Sequence, residues 1–305
     1  MRNIMVIINP KSGSESGIRL KNMINQHLKN YFEEIVFKET HSPQDPVTFG
    51  KEAAENNFDS IMVVGGDGTL NGAITGFKDY DKRPKIAIVP AGTGNLMAKI
   101  LGIPYLKRRA ITAYKFEKTK KMNLGVCNDH VFNMFASLGP IPESIHEVSN
   151  EQKTALGFFA YVLNAMPKLV NSEIKNIKIE TSNFSFSGSV DHLLVSLVNG
   201  IGPLRFSELD ESIAKGEANI YIQKNKEFIH RFQTVTSAIG GKMENSSSME
   251  TFSSKKIIID TTDDTKLDVD LDGELGPSLP VKITVLVDHN EFYLPEDNSL
   301  LNTQI

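Results

Sequence analysis

A carboxylate, a hydroxyl and an amide stand among glycines at residues 61–72, which read IMVVGGDGTLNG. The apolar run predicts a buried strand, and the glycines after it let a backbone approach an anionic ligand and donate N–H groups to it. Asp67 would then lie beside bound phosphate, where a carboxylate is favourable only with a cation between the two, most simply Mg²⁺. Thr69 and Asn71 follow closely and can add oxygen ligands. The stretch therefore predicts a phosphate and magnesium site.

Two further loops repeat this arrangement. Residues 86–95 read IAIVPAGTGN, and residues 9–14 read NPKSGS directly after the first apolar run. Because the carboxyl ends of parallel strands meet at one edge of a sheet, three such loops favour a single nucleotide pocket. A purely structural turn explains any one loop equally well, but it explains all three together less well. Neither a Walker A loop nor G-x-G-x-x-G occurs in them. The residues expected to line the pocket are Asn9, Pro10, Lys11, Ser12, Gly13, Gly65, Gly66, Asp67, Gly68, Thr69, Asn71, Gly92, Thr93, Gly94 and Asn95.

The elements that must position these loops divide the chain into two parts. Up to about residue 124, short apolar runs alternate with helical patterns, and several runs are apolar at every position, as in strands covered on both faces. From about residue 125, alternating strands and turns of Asn, Asp and Gly predict antiparallel sheets. We therefore expect an α/β domain with a Rossmann-like parallel sheet at 1–124 and a mainly antiparallel β-sandwich domain at 125–291.

Composition excludes several classes of protein. The 305 residues have a formal net charge of −4 and are 40% hydrophobic, so the chain can build two cores and lacks the basic field of a nucleic-acid-binding protein. No run approaches the roughly 18 apolar residues of a membrane span, and the N-terminus lacks a secretory signal pattern. The single cysteine, Cys127, cannot form an intramolecular disulfide. We expect a cytoplasmic protein with no nucleic-acid partner.

The order of the motifs resembles a known family. Residues 65–69, GGDGT, match the signature of the diacylglycerol kinase catalytic-domain superfamily, which NAD kinases and phosphofructokinases share more distantly. The signature alone leaves those three open. The other motifs recur in the order seen in soluble bacterial diacylglycerol kinases and sphingosine kinases: NP-x-SG at 9–13, Thr40, PAGTGN at 90–95, LGIP at 101–104 and DGE at 272–274.

This resemblance implies an ATP-dependent lipid kinase that transfers the γ-phosphoryl group to a lipid hydroxyl, with diacylglycerol as the first choice of acceptor and phosphatidic acid as its product. It implies that the first domain, of the NAD-kinase and diacylglycerol-kinase type, is completed by about residues 292–305 and binds ATP and Mg²⁺. The β-rich domain then presents the lipid. We also expect a transient contact with the membrane surface, peripheral to it, and the sequence is compatible with a homodimer.

The resemblance also implies roles for individual residues. Thr40 joins the nucleotide pocket, Asp67 engages Mg²⁺, and Glu274 is the general base that takes the proton of the attacking hydroxyl. Considered without the family, the Asp272-Gly273 pair is a good hairpin turn that leaves Glu274 solvated.

The sequence departs from the family pattern at three positions. Soluble bacterial relatives usually carry aspartate after GTGN and again before the β domain, where this chain has Leu96 and Asn123. A third aspartate, which helps to hold a structural magnesium in relatives, aligns with Lys215, whose ammonium we expect to replace that ion. Two rivals stay open: an NAD kinase, against which NP-x-SG and DGE argue, and a non-catalytic regulator that binds nucleotide or lipid.

A basic run, KRR at residues 107–109, precedes Lys115, Lys118, Lys120 and Lys121. Such a run fits anionic lipid headgroups, since each basic residue near an anionic membrane contributes about 1 kcal/mol. A solvated helix face is the simpler explanation, and the sequence alone favours it.

Overall fold

The chain divides into two units. In the computed structural model the first unit is formed by Met1–Met122 and Asp288–Ile305, and the second by Asn123–Val287. The chain passes from one unit to the other in two long strands. The structure describes residues 2–10, 17–138, 175–201, 204–205, 211–224, 249–263 and 265–296.

The first unit begins with four strands that alternate with helices. The strands are parallel and ordered second, first, third, fourth across the sheet. Every residue of the third strand and the last five of the first are buried, as expected for a sheet covered on both faces. The elements are β1 (Asn3–Ile8), α1 (Gly17–Leu28), β2 (Glu34–Glu39), α2 (Asp45–Glu55), β3 (Ser60–Gly65), α3 (Asp67–Phe77), β4 (Lys85–Pro90), α4 (Leu96–Ile100) and α5 (Lys107–Ala113).

The second unit is built from antiparallel strands. The two strands in which the chain crosses between the units are β5 (Thr119–Cys127) and β17 (Val281–Tyr293). The elements between them are β6 (His130–Phe132), β7 (Phe135–Leu138), β8 (Lys175–Glu180), β9 (Ser185–Ser196), β10 (Gly200–Ile201), β11 (Leu204–Arg205), α6 (Glu211–Ala214), β12 (Ala218–Lys224), β13 (Met249–Ser254), β14 (Lys256–Thr261), β15 (Asp268–Leu271) and β16 (Glu274–Ser278).

The strands of the second unit enclose an apolar core. Their order is β16-β15-β7-β9-β8-β14-β17, and β12 pairs with β9 and with β13. Alternate residues face the core, such as Ile177 and Ile179 of β8 and Leu193 and Val195 of β9. The expected fold class is thus confirmed, with a parallel α/β part followed by an antiparallel strand-rich part. Among the described residues, no helix is both long and apolar enough to cross a membrane.

The strand order of the first unit creates a place for a ligand. The chain leaves β1 through α1 to the edge strand β2, and α2 returns it to β3 on the other side of β1. Open α/β sheets bind ligands outside the carboxyl ends of the strands at such a reversal. Asn9 follows β1 and Gly66 follows β3 directly, so two of the three predicted loops begin there.

Glycines set the distance between α2 and α3. A Cβ atom at Gly50 would lie 2.0 Å from the carbonyl oxygen of Ala73, and one at Gly76 would lie 2.1 Å from the carbonyl oxygen of Val47. No real Cβ atom comes this close to an oxygen, so only glycine permits the observed packing. Because α3 begins at Asp67, this packing also fixes the helix whose first turn carries the aspartate.

We predict that Gly76→Ala destabilises the protein, although alanine is the better helix former. The added methyl group must push α2 away, which typically costs about 1–3 kcal/mol of unfolding free energy. Thr48→Ala, at an exposed position of α2, is the control and should change stability by less than about 0.5 kcal/mol. Urea unfolding measures both. Equal stability of the Gly76 variant and the wild type would show that the helices do not pack as described.

Cys127 is a fully buried free thiol at the end of β5. Burial raises the pKa of this thiol to about 12. Since the thiolate is the reactive form, we predict that Ellman's reagent does not label the native protein at neutral pH and labels one thiol after denaturation. Rapid stoichiometric labelling of the native protein would contradict the burial of this strand end.

Candidate functional site

Three loops of the first unit meet outside the ends of β1, β3 and β4. The N–H of Asn9 donates to the carbonyl of Val64, and the N–H of Ala91 donates to the carbonyl of Gly65, each over 2.9 Å. Past the strand ends, the side-chain amide of Asn9 donates to the hydroxyl of Thr69 over 3.3 Å. The loops that the sequence singled out therefore form one cluster, as far as the structure describes them.

Two glycines bring the second and third loops into backbone contact. A Cβ atom at Gly92 would lie 2.5 Å from the Cα atom of Gly66, and one at Gly66 would lie 3.1 Å from the Cα atom of Gly92. Packing of the two backbones against each other therefore requires glycine at positions 66 and 92, whether or not a ligand binds there. Gly68 and Thr93, which belong to the same two loops, are exposed to solvent.

Asp67 joins these loops through its carboxylate. Oδ2 accepts the N–H of Leu96 at 3.0 Å, and Oδ1 accepts the N–H of Met97 at 3.2 Å. Both donors belong to the first turn of α4, where backbone N–H groups have no partner inside the helix. Leu96 stands where the family resemblance leads us to expect aspartate, and in this chain it is the backbone N–H of that position that contacts Asp67.

At Asp67, burial acts on the pKa of the carboxyl group in one direction, and nearby N–H groups and positive charge act in the other. Burial raises the pKa of its carboxyl group, while the N–H groups of Leu96 and Met97 and the positive charge of Lys99 act to lower it. Burial lowers the pKa of the Lys99 ammonium, and the negative charge of Asp67 acts to raise it. Each group therefore favours the ionised form of the other. Lys99 is a member of this site that the sequence analysis did not identify.

The donors around Asp67 fit a magnesium ion that arrives with phosphate. Within the described part of the chain, no group of three or more His, Cys, Asp or Glu side chains could hold a metal ion. Each oxygen of Asp67 accepts an N–H group, and a carboxylate oxygen has a second lone pair that can bind a cation. Mg²⁺ is usually held by one or two carboxylates together with waters and substrate phosphates. A single carboxylate is thus sufficient only if a bound nucleotide supplies further ligands.

Asn95 closes the third loop on itself. Its backbone is left-handed, with a φ of 48°, and its side chain is buried. The side-chain oxygen accepts the N–H of Gly92 at 2.9 Å, and the side-chain amide donates to the carbonyl of the same glycine at 2.7 Å. An aspartate could accept but could not donate, which explains the amide here. The predicted contact between Asn95 and a nucleotide stays a prediction.

The remaining predicted residues of the first unit lie near the same strand ends. Thr40 follows β2, is buried, and donates its N–H to the carbonyl of Ile8 at the end of β1 over 2.9 Å. Asn71 is buried in α3, and Pro10 is exposed directly after Asn9. The other predicted residues, Lys11, Ser12 and Gly13, lie outside the described residues.

Glu274 belongs to the second unit, where it begins β16 and is exposed. It faces Leu271 across a two-residue turn made of Asp272 and Gly273, whose φ angles are 54° and 91°. Two left-handed residues are typical of the tight turns that join antiparallel strands. The hairpin expected from the Asp-Gly pair is therefore present, and it fixes the backbone that carries Glu274.

Asp272 anchors this hairpin, a role that the sequence analysis missed. Its buried carboxylate accepts the N–H groups of Asn133, Met134 and Phe135 at 2.6, 2.9 and 2.8 Å. Its own N–H donates to the carbonyl of Phe135 over 3.0 Å. The Asp-Gly pair indicates a turn, but nothing in the local sequence indicates that the side chain binds a segment 137 to 139 residues away.

Two of the departures from the family pattern have a structural account. The side-chain amide of Asn123 donates to the carbonyl of Ile213 over 2.8 Å, a contact that a carboxylate makes only with a cation between them. The expectation that the ammonium of Lys215 replaces a structural ion stays a prediction. Lys215 forms an exposed ion pair with Glu211 on α6, with the two charged atoms 3.2 Å apart.

Comparisons with known proteins agree on one family. A family model described as the diacylglycerol kinase catalytic domain matches residues 3–127. A protein of Streptococcus pneumoniae, provisionally named a lipid kinase, is 35% identical over 293 residues, which are 96% of this chain and 98% of that protein. The diacylglycerol kinase of Bacillus subtilis is 28% identical over 304 residues, 98% of each chain. A crystal structure from Bacillus anthracis, provisionally named a diacylglycerol kinase, has a TM-score of 0.78, 26% identity, and coverage of 96% of this chain and 97% of that one.

We predict that Asp272→Ala is strongly destabilising. The substitution leaves three backbone N–H groups without their charged acceptor, which should cost about 3–5 kcal/mol of unfolding free energy. Asp272→Asn should cost less, because its amide oxygen still accepts and asparagine tolerates the left-handed backbone. Asp129→Ala, in an exposed turn of the same unit, is the control. Denaturant unfolding in which all three variants match the wild type would remove Asp272 as the anchor.

Proposed function

The chain belongs to the diacylglycerol kinase catalytic-domain family and is a lipid kinase, and on that premise we propose that it transfers the γ-phosphoryl group of ATP to the hydroxyl of diacylglycerol. The observation that carries the proposal is the cluster around Asp67, where three loops meet at the reversal of strand order. Diacylglycerol is proposed as acceptor because the Bacillus subtilis relative is named for it.

The first unit is proposed to bind the nucleotide. Phosphoryl transfer depends on positioning the phosphates and neutralising their charge. Gly68 and Thr93 are exposed residues beside the contact between Gly66 and Gly92, and their N–H groups are proposed to bind the phosphates. Asn9 and Thr40 lie at the neighbouring strand ends and are proposed to line the rest of the pocket. The ammonium of Lys99 supplies positive charge next to Asp67.

Asp67 is proposed to hold Mg²⁺ together with the phosphates of ATP. When bound, the ion supplies charge neutralisation on the transferred phosphoryl group. The carboxylate of Asp67 is kept in place by the N–H groups of Leu96 and Met97, so its orientation does not depend on the ion. Burial raises the pKa of this carboxyl group overall, and the same two hydrogen bonds and Lys99 oppose that rise, so they favour the ionised form that binds a cation.

The second unit is proposed to present the lipid, and Glu274 to remove the proton from its attacking hydroxyl. A general base needs a fixed position and access to the substrate. Glu274 is exposed, and its backbone follows a turn held by the four hydrogen bonds of Asp272. The proposed domains keep the bounds expected from the sequence, 1–124 with about 292–305 for the nucleotide and 125–291 for the lipid.

We predict that Asp67→Asn and Glu274→Gln both abolish most phosphoryl transfer. The loss of a general base should lower turnover by about 10²–10⁴. The loss of an electrostatic contact to the phosphoryl group should lower it by about 10²–10³. The assay is transfer of label from γ-labelled ATP to detergent-solubilised diacylglycerol in the presence of Mg²⁺. Two acids serve as controls, the exposed Asp79→Asn in the first unit and Glu180→Gln, with a side chain that is 46% exposed, in the second; both variants should remain active.

The outcomes separate the proposal from its rivals. Label in a sphingoid or polyprenol lipid, but not in diacylglycerol, would retain the kinase and reject the acceptor. ATP binding by the wild type without transfer to any lipid would support a regulator, in keeping with Leu96 and Asn123 at positions where relatives have aspartate. Full activity of Glu274→Gln would remove that residue from the mechanism.

A further inference from the structure

An exposed apolar pair lies next to exposed arginines in the first unit. Tyr105 and Leu106 are 42% and 60% exposed, and they are two of the five large hydrophobic side chains that are exposed among the described residues. They are adjacent in the chain and directly precede α5, where Arg108 and Arg109 are also exposed. We refer to residues 105–109, which read YLKRR, as the tip.

The residues of the tip do not stabilise α5, the helix that begins within it. Leu106 is the N-cap residue of α5 and makes no side-chain capping bond, although Ser, Thr, Asp or Asn at this position stabilises a helix. The first turn of α5 contains no acidic residue and three basic ones, which is unfavourable at the positive end of the helix dipole. Residues that oppose local stability in this way commonly mark a functional surface.

The exposure of the tip is enforced by the fold around it. Ala110 and Ile111 bury the other side of α5. The hydroxyl of Tyr114, just after the helix, donates to the carbonyl of Ile88 at 2.7 Å and accepts its N–H at 3.1 Å. Ahead of the tip, the N–H of Ile103 donates to the carbonyl of Ala98 over 2.9 Å. The backbone is therefore held on both sides, and the Tyr105 and Leu106 side chains are presented to solvent.

The charge around the tip is opposite in sign to that of the whole chain. Residues 105–121 contain seven Lys or Arg residues and one acidic residue, whereas the chain has a formal net charge of −4. In the part of the chain that the structure describes, the side chains of Arg108 and Arg109 form no ion pair. Two exposed guanidinium groups beside two exposed apolar side chains thus match a surface that is anionic outside and apolar beneath.

We propose that the tip docks the protein onto the surface of a bilayer that contains anionic phospholipid. Tyrosine is favoured at the level of the headgroups, and a leucine beside it can enter the boundary with the acyl chains. Arg108 and Arg109 then face the lipid phosphates, to which guanidinium groups bind strongly. The proposal rests on the assignment as a lipid kinase, since it names the partner surface in which an acceptor lipid resides.

The experiment measures binding to vesicles without reference to catalysis. The full chain is sedimented with vesicles of phosphatidylcholine alone and of phosphatidylcholine mixed with phosphatidylglycerol. Arg108→Gln/Arg109→Gln should lower the partition coefficient on the mixed vesicles by about 30-fold. Tyr105→Ser/Leu106→Ser should lower it by about tenfold or more on the same vesicles.

Two control variants remove positive charges or an exposed apolar side chain at positions outside the tip. Lys51→Gln/Lys82→Gln removes two charges from exposed positions of the first unit, and Ile258→Ser removes an exposed apolar side chain from the second. Both should bind vesicles like the wild type. All of these variants should have the circular dichroism spectrum and the urea unfolding midpoint of the wild type, which shows that they are folded.

The outcomes distinguish this inference from the proposed function. Tip-dependent vesicle binding by a protein that phosphorylates no lipid would retain the docking surface and reject the kinase proposal. Equal losses for the tip variants and the lysine control would overturn the proposal, because net charge alone would then explain binding. Failure of the wild type to bind either kind of vesicle would also overturn it and would point to an acidic protein as the partner of the tip.

Discussion

The carboxylate of Asp67 is the constraint on which the rest of the site depends. It begins α3 and accepts two backbone N–H groups from the start of α4, so one side chain ties the loop after β3 to the loop after β4. The backbones of these two loops also touch at Gly66 and Gly92, and Asn95 closes the loop after β4 through two hydrogen bonds to Gly92. The cluster therefore exists before a ligand binds, and a nucleotide would meet preorganised N–H groups and one oriented carboxylate.

The second unit uses the same physical device for a different purpose. The carboxylate of Asp272 likewise accepts backbone N–H groups from a distant part of the chain, and it holds the hairpin that carries Glu274. In each unit, a carboxylate fixes a short loop by accepting hydrogen bonds from backbone N–H groups. Charge-assisted hydrogen bonds of this kind are stronger than bonds between neutral groups, which suits loops with little apolar surface to bury.

Much of this fold could be predicted from the sequence, because apolar runs and glycine loops are local signals. The runs IMVV and IAIV proved to be the buried strands β3 and β4, and the GGDGT loop lies where the strand order reverses. The partners of Asp67 and the anchoring role of Asp272 could not be predicted. Each depends on which distant backbone or side chain the fold brings near, and no local pattern encodes that. The exposure of Tyr105 and Leu106 is likewise a property of packing.

We propose that Asp67 holds Mg²⁺ only together with the phosphates of ATP. The most direct test is calorimetric titration of ATP into the wild type and into Asp67→Ala, each with Mg²⁺ and with EDTA. If Asp67 holds the ion, Mg²⁺ strengthens ATP binding to the wild type and has little effect on the variant. The same strengthening in both proteins would contradict it, because the ion would then be held by the nucleotide or by other residues without Asp67.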